Sequence, residues 1–370
     1  MTTAPATETA AQSDTVAQNA SVLAIANHTN EKKIERHYEP LARVAAATTM
    51  VCFDGHDDSD GIDFRRVPEP GHRILGFPLL LLAACLEAHR GDYDAVVSMS
   101  LFPYGCISLV VGRLFGMPVH LGIIGIDLDG HATEWYGAVP RLLFRQFDSL
   151  SVPGPTHVRK LTRMGVAPAN VSILRNAIDV DRFEPPSGDV ERDIDLLWVG
   201  RFSDEKDPLR FVDALAELDA NGVDFDAAML GTGELGEDVA AALADYGLSA
   251  SVATPGWVDD PRTYYRRARV FVLTSRRDAL PFTLVESMAT GVVPVVPRVG
   301  SCADTVTDDE DGIVVDDRQP ATYASAMYRL LDDDDHRERL AANATGIRER
   351  FSLADASADW RQILRTLHGE

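Results

Sequence analysis

Two carboxylates, Asp278 and Glu286, stand eight residues apart in the segment SRRDALPFTLVESMATG. Between them a loop leads into a predicted helix start at Leu280, Pro281, Phe282 and Thr283. Free N–H groups and the helix dipole make such a start an anion site. We expect Glu286 on the first turn, stabilised by the same dipole. Carboxylates only accept hydrogen bonds, so the segment predicts phosphate at the helix start and sugar hydroxyls on the two carboxylates. The alternative is a plain loop carboxylate and a dipole partner.

Two cations, Arg201 and Lys206, lie five residues apart in the segment VGRFSDEKDP, just after Gly200. The segment follows a predicted strand and leads into a predicted helix. An arginine fork and a lysine point charge in one loop are suited to binding a dianionic diphosphate. The alternative is ordinary surface charge.

Further candidates follow other predicted strands. Gly231 and Gly233 in LGTGE let a ring or a phosphate approach the backbone, although a tight turn is the simpler interpretation. Trp257 in PGWVDDP is placed either near a base or in the core, and Asp260 with Pro261 predicts a helix start. The segment GSCADTV, residues 300–306, is a loop and helix start, or simply a βα turn.

Short apolar runs alternate with amphipathic stretches along the chain, and this order predicts βαβ units with parallel strands. A proline-rich, charged stretch at 185–193 divides the pattern into two series. The predicted organisation is a disordered tail at 1–20, a first domain at 21–184, a linker at 185–193, a second domain at 194–351 and a last helix at about 352–370 that crosses back to the first domain. The fold class is α/β, with two doubly wound Rossmann-like domains facing a cleft that holds the ligand.

The chain carries 57 acidic and 35 basic residues, and only four of the basic residues are lysines. The net charge of −22 argues against a broad basic face for nucleic acid. An acidic, lysine-poor surface is typical of a halophile's protein, and an acidic mesophilic enzyme is the alternative. The beginning of the chain lacks a signal-peptide pattern and no apolar run is long enough to cross a bilayer, so we expect a cytoplasmic protein. The four scattered cysteines predict neither disulfides nor a zinc site.

The order of these motifs resembles the second domain of the GT-B, family 4 glycosyltransferases over residues 171–315. Carried over by position, Arg201 and Lys206 are the diphosphate-binding cations, Glu286 matches the residue that binds the donor ribose, and Asp278 matches the residue near the transferred sugar. Asp278 stands where the family usually has glutamate. The resemblance implies sugar transfer from a UDP- or GDP-linked donor to an acceptor hydroxyl with retention of configuration, for glycan or glycolipid synthesis. Rival functions are a nucleotide-sugar epimerase and a non-catalytic nucleotide-sugar-binding subunit.

The first domain departs from the family pattern. Asp127 fits the Gly-x-Asp turn, whereas the segment with His28 replaces the usual double-glycine loop. The acceptor-side candidates are Asp127, His131 and His28. The segment IDLDGH is the nearest pattern to a metal-binding carboxylate pair, but two cations already cover the phosphate charge, so we expect neither metal nor cofactor. Arginine mixed with apolar residues at 73–82 and 141–147 predicts a peripheral contact with membrane-borne acceptors, or else two core helices.

Overall fold

The computed structural model describes residues 19–26, 31–53, 59–68, 73–188 and 190–369, so the predicted tail lies almost entirely outside it. The chain divides into two compact units. The first unit comprises Met1–Ala177 with Leu353–Glu370, and the second comprises Ile178–Ser352.

The first unit contains a parallel sheet with the strand order β3-β2-β1-β4-β5-β6-β7. Central strands such as β4 are buried along their whole length, as expected for a sheet covered on both faces. Its strands are β1 (Ser21–Ile25), β2 (Ala47–Cys52), β3 (Ile62–Arg66), β4 (Ala95–Met99), β5 (Val119–Gly122), β6 (Ser149–Val152) and β7 (Val171–Ile173). The sequence pattern does not indicate β3, because this edge strand is mostly exposed and carries charged side chains.

Helices pack around this sheet. They are α1 (Glu31–His37), α2 (Glu39–Ala42), α3 (Arg73–Arg90), α4 (Cys106–Phe115), α5 (Ala138–Phe144), α6 (Pro155–Arg163) and the last helix, α14 (Leu353–Leu367). The sequence pattern of residues 31–46 predicts one helix, whereas the structure has two short helices there, because Pro40 lacks the N–H that would continue the first one. Trp360 of α14 is fully buried in this unit, and its Nε1 donates to the backbone oxygen of His37 at 3.1 Å.

The second unit contains a parallel sheet with the strand order β10-β9-β8-β11-β12-β13. Its strands are β8 (Ile194–Val199), β9 (Ala227–Leu230), β10 (Val252–Gly256), β11 (Ala268–Val272), β12 (Val293–Pro297) and β13 (Ile313–Val315). Its helices are α7 (Pro208–Ala220), α8 (Gly236–Asp245), α9 (Arg262–Arg267), α10 (Phe282–Ala289), α11 (Cys302–Thr305), α12 (Pro320–Asp332) and α13 (Asp334–Ala344). All six strands coincide with runs that the sequence predicts as strands.

The units divide between Ala177 and Ile178, ahead of the predicted linker at 185–193. Ile178 forms a bridge with Ser352, and Phe183 packs against Tyr265 with ring centroids 6.3 Å apart. Residues 178–184, which the sequence pattern assigns to the first domain, therefore belong to the second unit, because their apolar side chains are buried there.

The strand order identifies where a ligand is expected in the second unit. The chain winds outward from β8 in both directions, through β9 on one side and β11 on the other. In open parallel sheets the crevice at such a switch point, beyond the carboxyl ends of the strands, binds ligands. The loops that leave β8 and β11 carry Lys206 and Asp278.

Candidate active site

The loops after β8 and β11 bring Lys206 and Asp278 into contact. The Lys206 ammonium donates to the Asp278 carboxylate, and the Ser275 hydroxyl donates to the same carboxylate at 3.3 Å. The Lys206 and Asp278 side chains are 23% and 11% exposed, so this ion pair is largely buried but still in contact with solvent. Two groups separated by 72 residues in sequence thus form one polar centre at the predicted position.

Arg201 lies at the carboxyl end of β8 and is exposed. Within the described part of the chain, no hydrogen bond or ion pair involves its side chain. An uncommitted guanidinium beside the switch point retains all of its donors for an anion.

The helix predicted between the two carboxylates is α10, which begins at Phe282 after an extended Pro281. No side chain caps its first turn. Leu280 and Pro281 are buried in the core, so only their backbone is available to a ligand, whereas Phe282 and Thr283 are half-buried. The predicted anion contact at this helix start would therefore be made by the backbone N–H groups of the first turn.

The prediction that Glu286 lies on the first turn of α10 is wrong. The helix begins at Phe282 and its first turn ends at Val285, so Glu286 is its fifth residue and lies just beyond that turn. The carboxylate is 4% exposed and accepts a hydrogen bond from the Tyr265 hydroxyl at 3.0 Å. Since the dipole effect is confined largely to the first turn, the interpretation as a dipole partner is lost, and a specific phenol contact takes its place.

The glycines after β9 serve the packing of two loops. A Cβ at Gly231 would lie 1.8 Å from the carbonyl oxygen of Gly200, and one at Gly233 would lie 2.3 Å from that of Phe202. The loops after β8 and β9 can approach this closely only without side chains. The tight packing fixes the backbone that carries Arg201.

Trp257 is not a core residue. It is 68% exposed, and its Nε1 donates to Asp259 at 2.8 Å. Asp260 accepts from the backbone N–H of Arg262 at 3.2 Å, next to the start of α9. Trp257 thus presents a solvent-exposed aromatic ring just after β10, the edge strand of this sheet.

Gly300 has a role that the sequence does not reveal. Its φ is +53°, and a Cβ there would lie 1.8 Å from the carbonyl oxygen of Asp278. The next residue, Ser301, donates its N–H to the carbonyl of Ala279 at 2.7 Å. The loop after β12 therefore supports the Asp278 segment directly, which is more than the βα turn that sequence alone suggests.

In the first unit, Asp127 is completely buried after β5. It accepts from the Leu101 backbone N–H at 3.0 Å and from the Ser100 hydroxyl at 3.1 Å. Its second oxygen, Oδ2, has no hydrogen-bond partner among the described residues, and burial raises the pKa of the carboxyl. Asp127 therefore joins the loops after β4 and β5.

The other acceptor-side candidates have different surroundings. His131 is hydrogen-bonded through Nδ1 to the Tyr136 hydroxyl at 2.6 Å, and His28 lies outside the described residues. Asp129, the second carboxylate of IDLDGH, contacts His157 Nε2 at 2.7 Å and the Lys160 ammonium. Asp127 and Asp129 therefore have separate partners and do not form a carboxylate pair. In the part of the chain that the structure covers, no group of three or more His, Cys, Asp or Glu side chains could hold a metal ion.

Solved structures share the fold of the whole chain. Anabaena HepE, solved in complex with UDP-glucose, superposes with a TM-score of 0.79 at 16% identity over 95% of this chain and 100% of its own. The sucrose-phosphate synthase of Thermosynechococcus elongatus gives 0.75 at 17% identity, with the same coverage. The chain therefore has the GT-B fold.

Each of the two units also matches a glycosyl transferase family model by sequence. Residues 31–177 match the family model described as a glycosyl transferase 4-like domain, and residues 179–346 match the one described as glycosyl transferases group 1. Together these matches support a GT-B glycosyltransferase of family 4.

Curated relatives match only about half of the chain. The D-inositol 3-phosphate glycosyltransferase of Corynebacterium kroppenstedtii is 28% identical over 51% of this chain and 47% of its own length. An Escherichia coli UDP-Gal:alpha-D-GlcNAc-diphosphoundecaprenol alpha-1,3-galactosyltransferase is 26% identical over 45% of this chain and 47% of its own. The chain spans about half the length of the curated relatives it matches.

Proposed function

We propose that this protein transfers a sugar from a nucleotide-sugar donor to an acceptor hydroxyl, with retention of configuration. The observation that carries the proposal is the contact between Lys206 and Asp278 at the switch point of the second sheet. One group is suited to a leaving diphosphate and the other to a sugar hydroxyl, and they are adjacent, as the two ends of a sugar–phosphate bond require.

Each donor contact is assigned to a group whose surroundings suit it. Lys206 and the exposed Arg201 neutralise the diphosphate as the sugar–oxygen bond breaks, and the uncapped start of α10 offers backbone N–H groups to the same charge. Asp278 accepts a hydroxyl of the transferred sugar. Glu286 accepts the ribose hydroxyls, while the Tyr265 hydroxyl fixes the orientation of its carboxylate.

Because these cations and N–H groups suffice for the phosphate charge, we propose a reaction without metal or cofactor. UDP and GDP both remain open as the donor nucleotide. Anabaena HepE was solved with UDP-glucose, and the Escherichia coli relative is named for a UDP-galactose donor, which supports testing uridine first.

We propose a lipid-linked or glycan acceptor that the first unit meets at a membrane surface, in a cytoplasmic protein. Helix α3 exposes Leu79 and Leu82, and α5 exposes Leu142, while Leu80 and Phe144 are buried. The segments 73–82 and 141–147 thus combine core and surface positions. The first unit has 21 acidic and 17 basic residues, against 36 and 18 in the second, so it meets an anionic surface with far less repulsion. No helix in the described ranges is both long and apolar enough to cross a membrane.

Flotation with anionic liposomes tests the membrane contact. Wild-type protein should float, and the Leu82→Ser/Leu142→Ser variant should stay in the soluble fraction. Wild-type protein that never floats rules the contact out.

A donor screen tests the function itself. UDP- and GDP-sugars are incubated with the protein in high salt and with lipid-diphosphate or free-sugar acceptors, and products are followed by mass spectrometry. The expected product is the acceptor plus one sugar, with the anomeric configuration of the donor preserved. An epimerised donor formed without any acceptor would assign the protein to another class of enzyme.

A further inference from the structure

A buried carboxylate, Asp207, adjoins Lys206 and is surrounded by arginines. Its side chain is 5% exposed and contacts the guanidinium of Arg318, Arg276 Nε at 3.2 Å and Arg210 Nε at 3.8 Å. The three arginines come from the start of α7, the loop after β11 and the loop after β13. One carboxylate therefore holds together three segments at the carboxyl edge of the sheet.

The backbone around Lys206 is held by a second set of hydrogen bonds. The Thr274 hydroxyl lies 3.1 Å from the carbonyl oxygen of Lys206 and 2.9 Å from that of Asp207. Trp198 Nε1 donates to this hydroxyl at 2.9 Å. Arg276 donates its N–H to the carbonyl of Glu205 at 2.8 Å. Residues 205–207 are thus joined to 274–276, two residues before Asp278.

Asp207 also adopts an unusual backbone conformation, with φ +50° and ψ +57°. Only glycine enters this left-handed region freely, although aspartate and asparagine tolerate it. Asp207 is also the residue directly before α7, so this turn connects Lys206 to the helix start.

We infer that Asp207 and its arginines are a positioning device that holds Lys206 against the reacting diphosphate, which rests on the function proposed above. Strands β8 and β11 already pair in the sheet, so a buried charge cluster is not needed to join them. Buried ion pairs contribute little net stability, because desolvation offsets the attraction, and in some proteins they serve instead to specify one geometry. Lysine has a long flexible stem, and a fixed backbone limits where its ammonium can lie.

A double-mutant cycle distinguishes positioning from general stability. Asp207→Asn keeps the shape and the tolerance for the left-handed turn but removes the charge, and we expect kcat/KM to fall about tenfold or more. If Asp207 acts through Lys206, the same change in a Lys206→Met background should cost less than about twofold. Equal losses in both backgrounds, or a silent Asp207→Asn, overturn the inference.

Asp309→Asn is the matched control. Asp309 is also a left-handed aspartate, with φ +60°, and it is paired to Arg329 at 2.5 Å. It is 58% exposed and precedes β13, away from the carboxyl edge of the sheet. Its substitution should leave kcat/KM unchanged. If circular dichroism shows that Asp207→Asn does not fold, Arg276→Gln replaces it in the cycle, because Arg276 is half-exposed and its substitution is less disruptive. We expect kcat/KM to fall about threefold in the wild-type background and to change less in the Lys206→Met background.

A second measurement needs no enzymatic activity. The chain has four lysines, so the acetylation rate of Lys206 by an N-hydroxysulfosuccinimide ester can be followed by peptide mass spectrometry, with Lys160 as the internal reference. Asp207→Asn should raise the Lys206 rate about three- to tenfold, because its ammonium is no longer held against Asp278. Asp309→Asn should not change it. An unchanged Lys206 rate in Asp207→Asn refutes positioning even if no sugar transfer is found, and a raised rate with no transfer by wild-type protein refutes only the proposed function.

Discussion

Replacing Asp278 by asparagine tests whether this carboxylate belongs to the reacting centre. The change keeps the size of the side chain and one acceptor oxygen. It removes the negative charge that faces the Lys206 ammonium and the Ser275 hydroxyl. The Asp278 side chain is only 11% exposed, so solvent can compensate little for the loss of its charge.

The size of the effect follows from the charged hydrogen bond that asparagine cannot form. A hydrogen bond to a charged group contributes about 1.5–3 kcal/mol, which corresponds to a roughly ten- to hundredfold change in rate. The proposed assignment puts Asp278 beside the transferred sugar, whose charge changes most in the transition state, so kcat should fall by this factor while the donor KM changes less. Asp278→Glu should retain substantial activity, because it restores the carboxylate and the commoner family residue.

Steady-state kinetics on both variants gives the answer, with folding checked by circular dichroism. Asp193→Asn is the control, because Asp193 forms an exposed ion pair with Arg267 at the start of β8, the opposite edge of the sheet. Its kinetics should match the wild type. If Asp278→Asn is as active as this control, the residue has no place in the site and the reasoning is refuted.

Four further predictions concern other groups. Glu286→Gln should raise the donor KM about tenfold with little change in kcat, as expected for uniform binding, and a large fall in kcat alone would contradict the ribose assignment. EDTA should leave transfer unchanged; loss of activity that Mg²⁺ or Mn²⁺ restores refutes a metal-free reaction. Far-UV circular dichroism should show unfolding as salt is diluted, because the net charge is −22, whereas full stability in low salt argues against a halophilic protein. Burial lowers the pKa of His120 from 6.5 to about 3. Below pH 6.5 the unfolded chain therefore binds a proton at this residue that the folded chain does not bind until pH approaches 3. The free energy of unfolding should fall by about 2 kcal/mol between pH 6.5 and 5. Urea titrations should show this loss in the wild type but not in His120→Asn, and identical pH profiles would contradict it.

The sequence predicted the positions of Lys206 and Asp278 because both follow strands. Parallel strands end at one edge of their sheet, so any polar residue just after a buried run becomes a candidate for that edge. The same alternation of buried runs and polar loops also predicted the strands of the second unit and the start of α10. It required no knowledge of contacts between distant residues.

The sequence could not reveal the supports of the site. Asp207 and Gly300 act through neighbours far away in the chain, and nothing in EKDP or VGSC indicates which loops meet there. Glu286 lies one residue beyond the first turn because α10 begins at Phe282, directly after the extended Pro281, and sequence alone does not fix that starting residue. The signal available for Asp207 was an aspartate directly before a proline that opens a helix, but a surface N-cap has the same pattern.

The most direct test of the proposed function is transfer of a sugar by wild-type protein and by the Lys206→Met variant, assayed with the same UDP- and GDP-sugars in high salt. We predict one added sugar with retained configuration for the wild type, and a rate at least about a hundredfold lower for Lys206→Met, because the leaving diphosphate loses a cation. Transfer at an undiminished rate by Lys206→Met would contradict the proposed role of this site.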